Sequence, residues 1–188
     1  DGRWLTVVVS DEYYDEGAAE VWDVRTRRRV RTLARPDMDK PGFLRFSPNG
    51  KQLVMGYRRG LSQVWSTTTW KPVTRPLAAD AGAIFQAAIS PDGRTLATGS
   101  LEGTVRMWDI ETEQALGAAL PGLPAIPVIP YFTADGKHLI ASYETGRAYH
   151  WDIRPESLAR HACQVAGRRL TRAEWAQFLP DRPYEPAC

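Results

Sequence analysis

Ile89-Ser90-Pro91-Asp92-Gly93-Arg94-Thr95-Leu96-Ala97-Thr98-Gly99-Ser100-Leu101-Glu102-Gly103-Thr104-Val105-Arg106-Met107-Trp108-Asp109-Ile110 reads as a turn, a strand, a second tight turn and a strand that ends in Trp-Asp. In Ser90-Pro91-Asp92-Gly93 the proline presets a negative φ and the glycine accepts a positive one without steric cost, so the chain reverses there. Leu96 to Ser100 runs into Glu102-Gly103 and Thr104 to Ile110 leaves it, and two short strands joined this tightly form a hairpin.

The same text recurs at a fixed interval. Trp22, Trp65, Trp108 and Trp151 are 43 residues apart at each step, and Gly50, Gly93 and Gly136 keep that spacing. Phe46-Ser47-Pro48-Asn49-Gly50 and Phe132-Thr133-Ala134-Asp135-Gly136 align with Ile89 to Gly93, and Val21-Trp22-Asp23-Val24, Val64-Trp65-Ser66-Thr67 and His150-Trp151-Asp152-Ile153 align with Met107 to Ile110. A period of about 40 to 45 residues with a Trp-Asp signature resembles the WD40 family of β-propellers, whose blades are four-stranded sheets. The resemblance covers residues 1–153. It implies an all-β fold of about four blades, with Trp22, Trp65, Trp108, Trp151, Asp23, Asp109, Asp152, Gly50, Gly93 and Gly136 as structural repeat positions. Many members also carry a histidine before the innermost strand that completes a buried hydrogen-bond network. Residues 78–82 and 121–124 contain none, so apolar packing is expected to carry more of the blade's stability.

Strands are expected at Leu5 to Val9, Ala19 to Val24 and Arg25 to Arg35 in the first repeat. The second supplies Phe43 to Ser47, Gln52 to Tyr57, Leu61 to Ser66 and Lys71 to Leu77; the third Ile84 to Ser90, Thr95 to Ser100, Thr104 to Ile110 and Gln114 to Ala119; the fourth Ile126 to Thr133, His138 to Tyr143 and Arg147 to Ile153. Leu53-Val54-Met55, Leu96-Ala97-Thr98 and Leu139-Ile140-Ala141 lack alternation, the mark of strands covered on both faces. His150 stands where Val21, Val64 and Met107 stand and is expected in the core. The first blade lacks an innermost strand and the fourth an outermost one. Residues 1–153 are therefore expected to be the C-terminal arc of a larger ring, incomplete in this chain, with Leu5, Val7 and Val9 on one flank and Ile140 and Tyr149 on the other exposed.

After Ile153 the period changes. Leu158, Ala162 and Val165 share a helical face behind Pro155, with Gly167 just past the end, and Thr171-Arg172-Ala173-Glu174 is a capping box with Leu170 and Trp175 at staple spacing. Residues 154–188 thus form a helical tail expected to pack on the propeller. The tail resembles the end of bacterial, notably actinobacterial, WD40 proteins built on a STAND-type signalling ATPase, in which the propeller is the sensor. That resemblance implies a signalling role and a missing N-terminal part of the same polypeptide as partner. No phosphate-binding Gly-x-x-x-x-Gly-Lys-Ser/Thr loop lies within the 188 residues.

Composition is that of an ordinary water-soluble chain, 43% hydrophobic and 24% charged, and its net charge of +2 names no partner. No apolar run reaches the length of a membrane span. Two cysteines, Cys163 and Cys188, are too few for a disulfide framework, so a reducing, cytoplasmic setting is expected. The tail could bring the two together, and proximity without a bond is the expectation.

Recognition is expected on the short turns between second and third strands. Asp11, Glu12, Tyr13 and Tyr14 lie in the longest of them, Arg58 and Arg59 in the next, and Glu102 and Glu144 in the last two. Arg25, Arg27, Arg29, Arg31 and Arg35 would line one face of an edge strand. Charge there blocks unwanted strand pairing, and the alternative use is contact with an anion or nucleic acid. No zinc spacing, His-Glu-x-x-His or Gly-x-Ser-x-Gly occurs. Innermost strands offer only Arg45 and Gln86, against the carboxylates or histidines that a channel enzyme needs. A non-catalytic module that binds a protein or peptide, without cofactor or metal, is the expected function.

Overall fold

The computed structural model describes residues 2–10, 17–34, 39–78, 83–158 and 172. The expectations for Asp11 to Tyr14, Arg35, Cys163, Cys188 and most of the tail fall outside them. The chain divides into two compact units, Asp1–His150 and Trp151–Cys188.

Thirteen described strands form four antiparallel sheets. β1 (Trp4–Ser10), β2 (Gly17–Asp23) and β3 (Arg28–Leu33) make the first; β4 (Pro41–Phe46), β5 (Gln52–Tyr57), β6 (Leu61–Ser66) and β7 (Leu77–Ala78) the second. β8 (Ile84–Ile89), β9 (Thr95–Ser100) and β10 (Val105–Asp109) make the third; β11 (Val128–Phe132), β12 (His138–Tyr143) and β13 (Ala148–Asp152) the fourth. Each sheet follows chain order from inner to outer edge, as in WD40 blades, and the all-β reading holds.

One turn, built three times, sets the period. Ser47, Ser90 and Thr133 donate their hydroxyls to Asn49, Asp92 and Asp135, and accept in return the N–H of Gln52, Thr95 and His138. The Asn49, Asp92 and Asp135 Oδ1 atoms then accept from the N–H of Lys51, Arg94 and Lys137. Gly50, Gly93 and Gly136 close the turns with φ between 69° and 79°, a region glycine enters freely. At the far end of the third strand the Trp-Asp carboxylate caps the next turn. Asp23 accepts from Thr26 N–H and Asp109 from Thr112 N–H, while Ser66 does the same for Thr68 and Thr69.

Packing follows strand parity. Leu53, Met55, Tyr57 and Trp65 face the first sheet and close a core with Ala19, Val21 and Leu33. Val54 and Val64 face the opposite way, into a core with Ile84, Ala87, Ile89, Leu96 and Trp108. β5 and β9 are therefore buried at five consecutive positions, without alternation. Gly99 marks how closely the third and fourth sheets approach: a Cβ there would lie 2.3 Å from Val128 O.

Several expectations are corrected. The outermost strands of the second and third sheets are far shorter than Lys71 to Leu77 and Gln114 to Ala119. β7 has two residues, and single bridges Trp65 to Pro72, Trp108 to Ala115 and Val105 to Leu120 replace the rest. Pro72 and Pro76 lack the N–H a ladder needs, and Gly117 turns at φ 73°. The arginine row is broken as well. Arg25 and Arg27 lie in a turn, Arg27 at φ 56°, and a bulge between Val21 and Trp22 shifts the register of β3. His150 is exposed, stacked on His138 at 4.6 Å between ring centroids, and β12 alternates. In sheets two and three that parity meets the following sheet; beside the fourth no further described sheet exists to cover it. For the same reason, on the opposite parity, Leu5, Val7 and Val9 are exposed as expected. Tyr149 is exposed too, but it packs edge-on against Tyr143 at 5.8 Å on the face turned to the third sheet, and Ile140 is only half-exposed, so neither forms the open flank that was expected.

In the second unit, residues 155–158 are helical. Asp152 binds the Arg154 guanidinium through both carboxylate oxygens and accepts the Ser157 hydroxyl at 2.8 Å.

Candidate recognition surface

Antiparallel order places the β5–β6, β9–β10 and β12–β13 turns at one end of their sheets, and each is built alike. The glycine N–H returns to the carbonyl that ends the second strand: Gly60 to Tyr57 at 3.2 Å, Gly103 to Ser100 at 3.4 Å and Gly146 to Tyr143 at 3.0 Å. These glycines sit at φ 77° to 84°, so the two residues before each are pushed outward. Arg58 and Arg59, Leu101 and Glu102, and Glu144 and Thr145 are all exposed.

The first two of these turns are held from behind. Arg59 N–H donates to Asp39 Oδ2 at 2.8 Å, Ala125 N–H to Glu102 O at 3.2 Å, and the buried Tyr143 hydroxyl to Gly103 O at 3.0 Å. Burial pushes the Tyr143 phenol above its ordinary value, which keeps it a donor. A Cβ on Gly103 would lie 1.8 Å from Leu123 O, so the loop preceding β11 is packed directly against this turn. Sequence reasoning found the exposed residues and missed Asp39 and Tyr143, whose contacts join segments 20 and 40 residues apart. No local signal marks such a pairing.

The end carries both signs of charge. Arg58 and Arg59 stand on the second sheet, Glu102 on the third and Glu144 on the fourth, which suits a partner with both signs better than a polyanion. Of the arginines expected to meet an anion, Arg29 is bound to Glu20, whose carboxyl is held below its usual range chiefly by that hydrogen bond. Arg25, Arg27 and Arg31 are exposed but share no strand face, because only Arg31 of the three lies in β3.

The opposite end has clefts between neighbouring sheets. One of about 330 Å³ is lined by Asn49, Lys51, Gln52, Ser66, Thr68 and Asp92. It is open, and Asn49 Nδ2 bridges it to Pro91 O at 3.0 Å. The Arg75 side chain crosses to Glu113 at 2.8 Å, tying the second sheet's outer segment to the third sheet's turn. On the innermost strands, the Arg45 guanidinium lies 4.7 Å from the centre of the Tyr131 ring, a cation held over an aromatic face. Among the described residues no three His, Cys, Asp or Glu side chains converge as a metal site, and no helix is long and apolar enough to cross a membrane.

A family profile described as WD40, WD domain, G-beta repeat, matches residues 70–109. This stretch runs from the second sheet's last turn to the Trp-Asp of the third and contains the hairpin quoted at the outset. A search of curated proteins finds no match to the chain. WD40 repeats serve in general as non-catalytic scaffolds for protein partners, so a protein-interaction module is the broad class this repeat supports.

Proposed function

We propose that the chain binds a protein or peptide partner on the turn end, through Arg58, Arg59, Glu102 and Glu144. The observation that carries the reading is the triple repetition of a glycine-closed turn. It exposes paired side chains, and hydrogen bonds with Asp39, Ala125 and Tyr143 fix the backbone beneath the first two of the three turns. A backbone that is already fixed has little conformational entropy left to lose on binding, so only the side chains must be ordered. Asp11, Glu12, Tyr13 and Tyr14 extend the same set in sequence.

The narrower role is that of a cytoplasmic sensor in a bacterial signalling protein of the STAND type, with the partner's binding relayed to an upstream ATPase. It rests on the tail's sequence resemblance. A propeller-channel enzyme is disfavoured, because Arg45 faces Tyr131 and supplies no acid or base.

Selection of random dodecapeptides on the immobilised chain tests the reading. Selected peptides should lose about tenfold or more in affinity for a variant carrying R58E, R59E, E102K and E144K. Equal affinity for the variant would place the partner elsewhere.

A further inference from the structure

Arg45, Ala88 and Tyr131 hold the same place in three successive repeats, 43 residues apart. Each is the last residue but one of its inner strand: Arg45 pairs with Val54, Ala88 with Ala97 and Tyr131 with Ile140. The three therefore stand at one level on β4, β8 and β11. The middle place is a methyl group, which leaves the width that a long side chain needs to pass from the second sheet to the fourth. Arg45 spans it, and its guanidinium lies 4.7 Å from the centre of the Tyr131 ring.

Among the described residues the Arg45 guanidinium meets no carboxylate and donates no hydrogen bond. Arg3, Arg29, Arg75 and Arg154, by contrast, each reach an Asp or Glu. Its own strands offer Arg45 no such partner, because it is the one charged residue on β4, β8 and β11. A half-buried cation among apolar strands has given up part of its hydration. An aromatic face answers its charge but offers no lone pair to its five N–H donors. Apolar walls also strengthen its field toward an approaching anion.

We infer that Arg45 receives a carboxylate from an acidic side chain of a bound peptide, through paired N–H···O bonds, with Tyr131 as a wall of the site. The planar guanidinium matches the two oxygens of a carboxylate. One cation balances one carboxylate, whereas a phosphate group carries about −1.5 to −2 at neutral pH, and these strands hold no second cation. A peptide suits the site better than a small acid because Tyr131 keeps 38% of its surface exposed, an apolar face for the residue next to the acidic one. Pro41 pairs with Tyr57 beside the turn end, and Arg45 lies four residues further along β4. The site is thus separate from the turn-end surface, and either reading can fail alone.

The Arg45 Nε–H signal of the full 188-residue chain reads the site directly by NMR at low salt. The probe is acetyl-Leu-Glu-Leu-amide, compared with acetyl-Leu-Gln-Leu-amide, acetate and inorganic phosphate. The acidic peptide should shift the signal saturably, with an affinity about tenfold or more above the other three. No saturable shift up to about 10 mM peptide, or equal affinity for the glutamine peptide, overturns the site. Acetate binding as tightly would overturn the peptide as ligand, and phosphate binding as tightly would overturn the carboxylate. Arg45→Lys, followed at the Tyr131 ring, keeps the charge and loses the fork, so affinity should fall about tenfold. Unchanged affinity would contradict the paired hydrogen bonds, and the wild-type titration decides the site without any variant.

Discussion

Trp108 donates its indole N–H to the Thr98 hydroxyl at 3.1 Å, inside the core between the second and third sheets. One period earlier the same place is held by Trp65 and Met55, and the Trp65 Nε1 has no acceptor among the described residues. A thioether stands where a hydroxyl is needed, so the repeat keeps the ring's packing and loses its hydrogen bond. Thr98→Val should therefore cost about 1–3 kcal/mol, because it leaves a buried donor unpaired at nearly constant volume. Thermal or urea unfolding measures it. A change below about 0.5 kcal/mol would mean the bond contributes nothing.

Arg27, Trp70 and Glu113 occupy the same left-handed turn position at φ 54° to 59°, 43 residues apart. Glycine accepts that conformation and arginine resists it. Arg27→Gly should be neutral or stabilising, by up to about 1 kcal/mol. Trp70→Gly relieves the same strain but removes the edge-on contact with Trp4 at 5.4 Å, and should destabilise by about 2 kcal/mol. Opposite signs in a denaturant melt are the expected pattern; equal signs contradict it.

Gly99→Ala would put a methyl group 2.3 Å from Val128 O and 2.9 Å from the Pro130 side chain. Because the obstacle is backbone, relief requires the third and fourth sheets to part, at about 2–3 kcal/mol. Gly50→Ala meets no atom within 4 Å and is strained only by its φ of 69°, so its cost should be smaller, about 1 kcal/mol. The ordering of the two, read from urea midpoints, decides whether sheet approach or turn strain governs these glycines.

Asp92 and Asp109 are held below the ordinary carboxyl value of 3.8, the first chiefly by the Ser90 hydroxyl and the second chiefly by the Thr112 N–H. A lowered folded value means their contribution is complete above that ordinary value and is lost as pH falls through the folded one. The melting temperature should therefore drop as pH falls below about 4. Asp92→Asn with Asp109→Ser copies Asn49 and Ser66 of the second repeat, and should make the drop shallower. An equally steep drop in the double variant would assign acid sensitivity to other groups.

Much of the fold was legible because the turn and the Trp-Asp cap are local. Ser90, Asp92 and Gly93 satisfy one another within five residues, so the letters carry the geometry, and the limits of β5, β9 and β12 matched the expected ones to the residue. What the letters could not carry is context. His150 has the same place in its repeat as Val64, but its exposure depends on whether another sheet lies beyond it. The arginine row looked continuous because a bulge at Val21 and Trp22 leaves no trace in spacing. The candidate recognition end was half legible: exposed turn residues announce themselves, while Asp39 and Tyr143 act across long stretches of chain.

The central claim is that each described sheet is held by its neighbours through opposite strand parities, with only one side satisfied in the first and fourth sheets. Residue-resolved amide exchange of the chain alone measures this directly. The amides of β5, β6 and β9, covered on both faces, should be the slowest in the molecule, and those of β1 should exchange orders of magnitude faster. Protection spread evenly over β1, β5 and β9 would contradict the account.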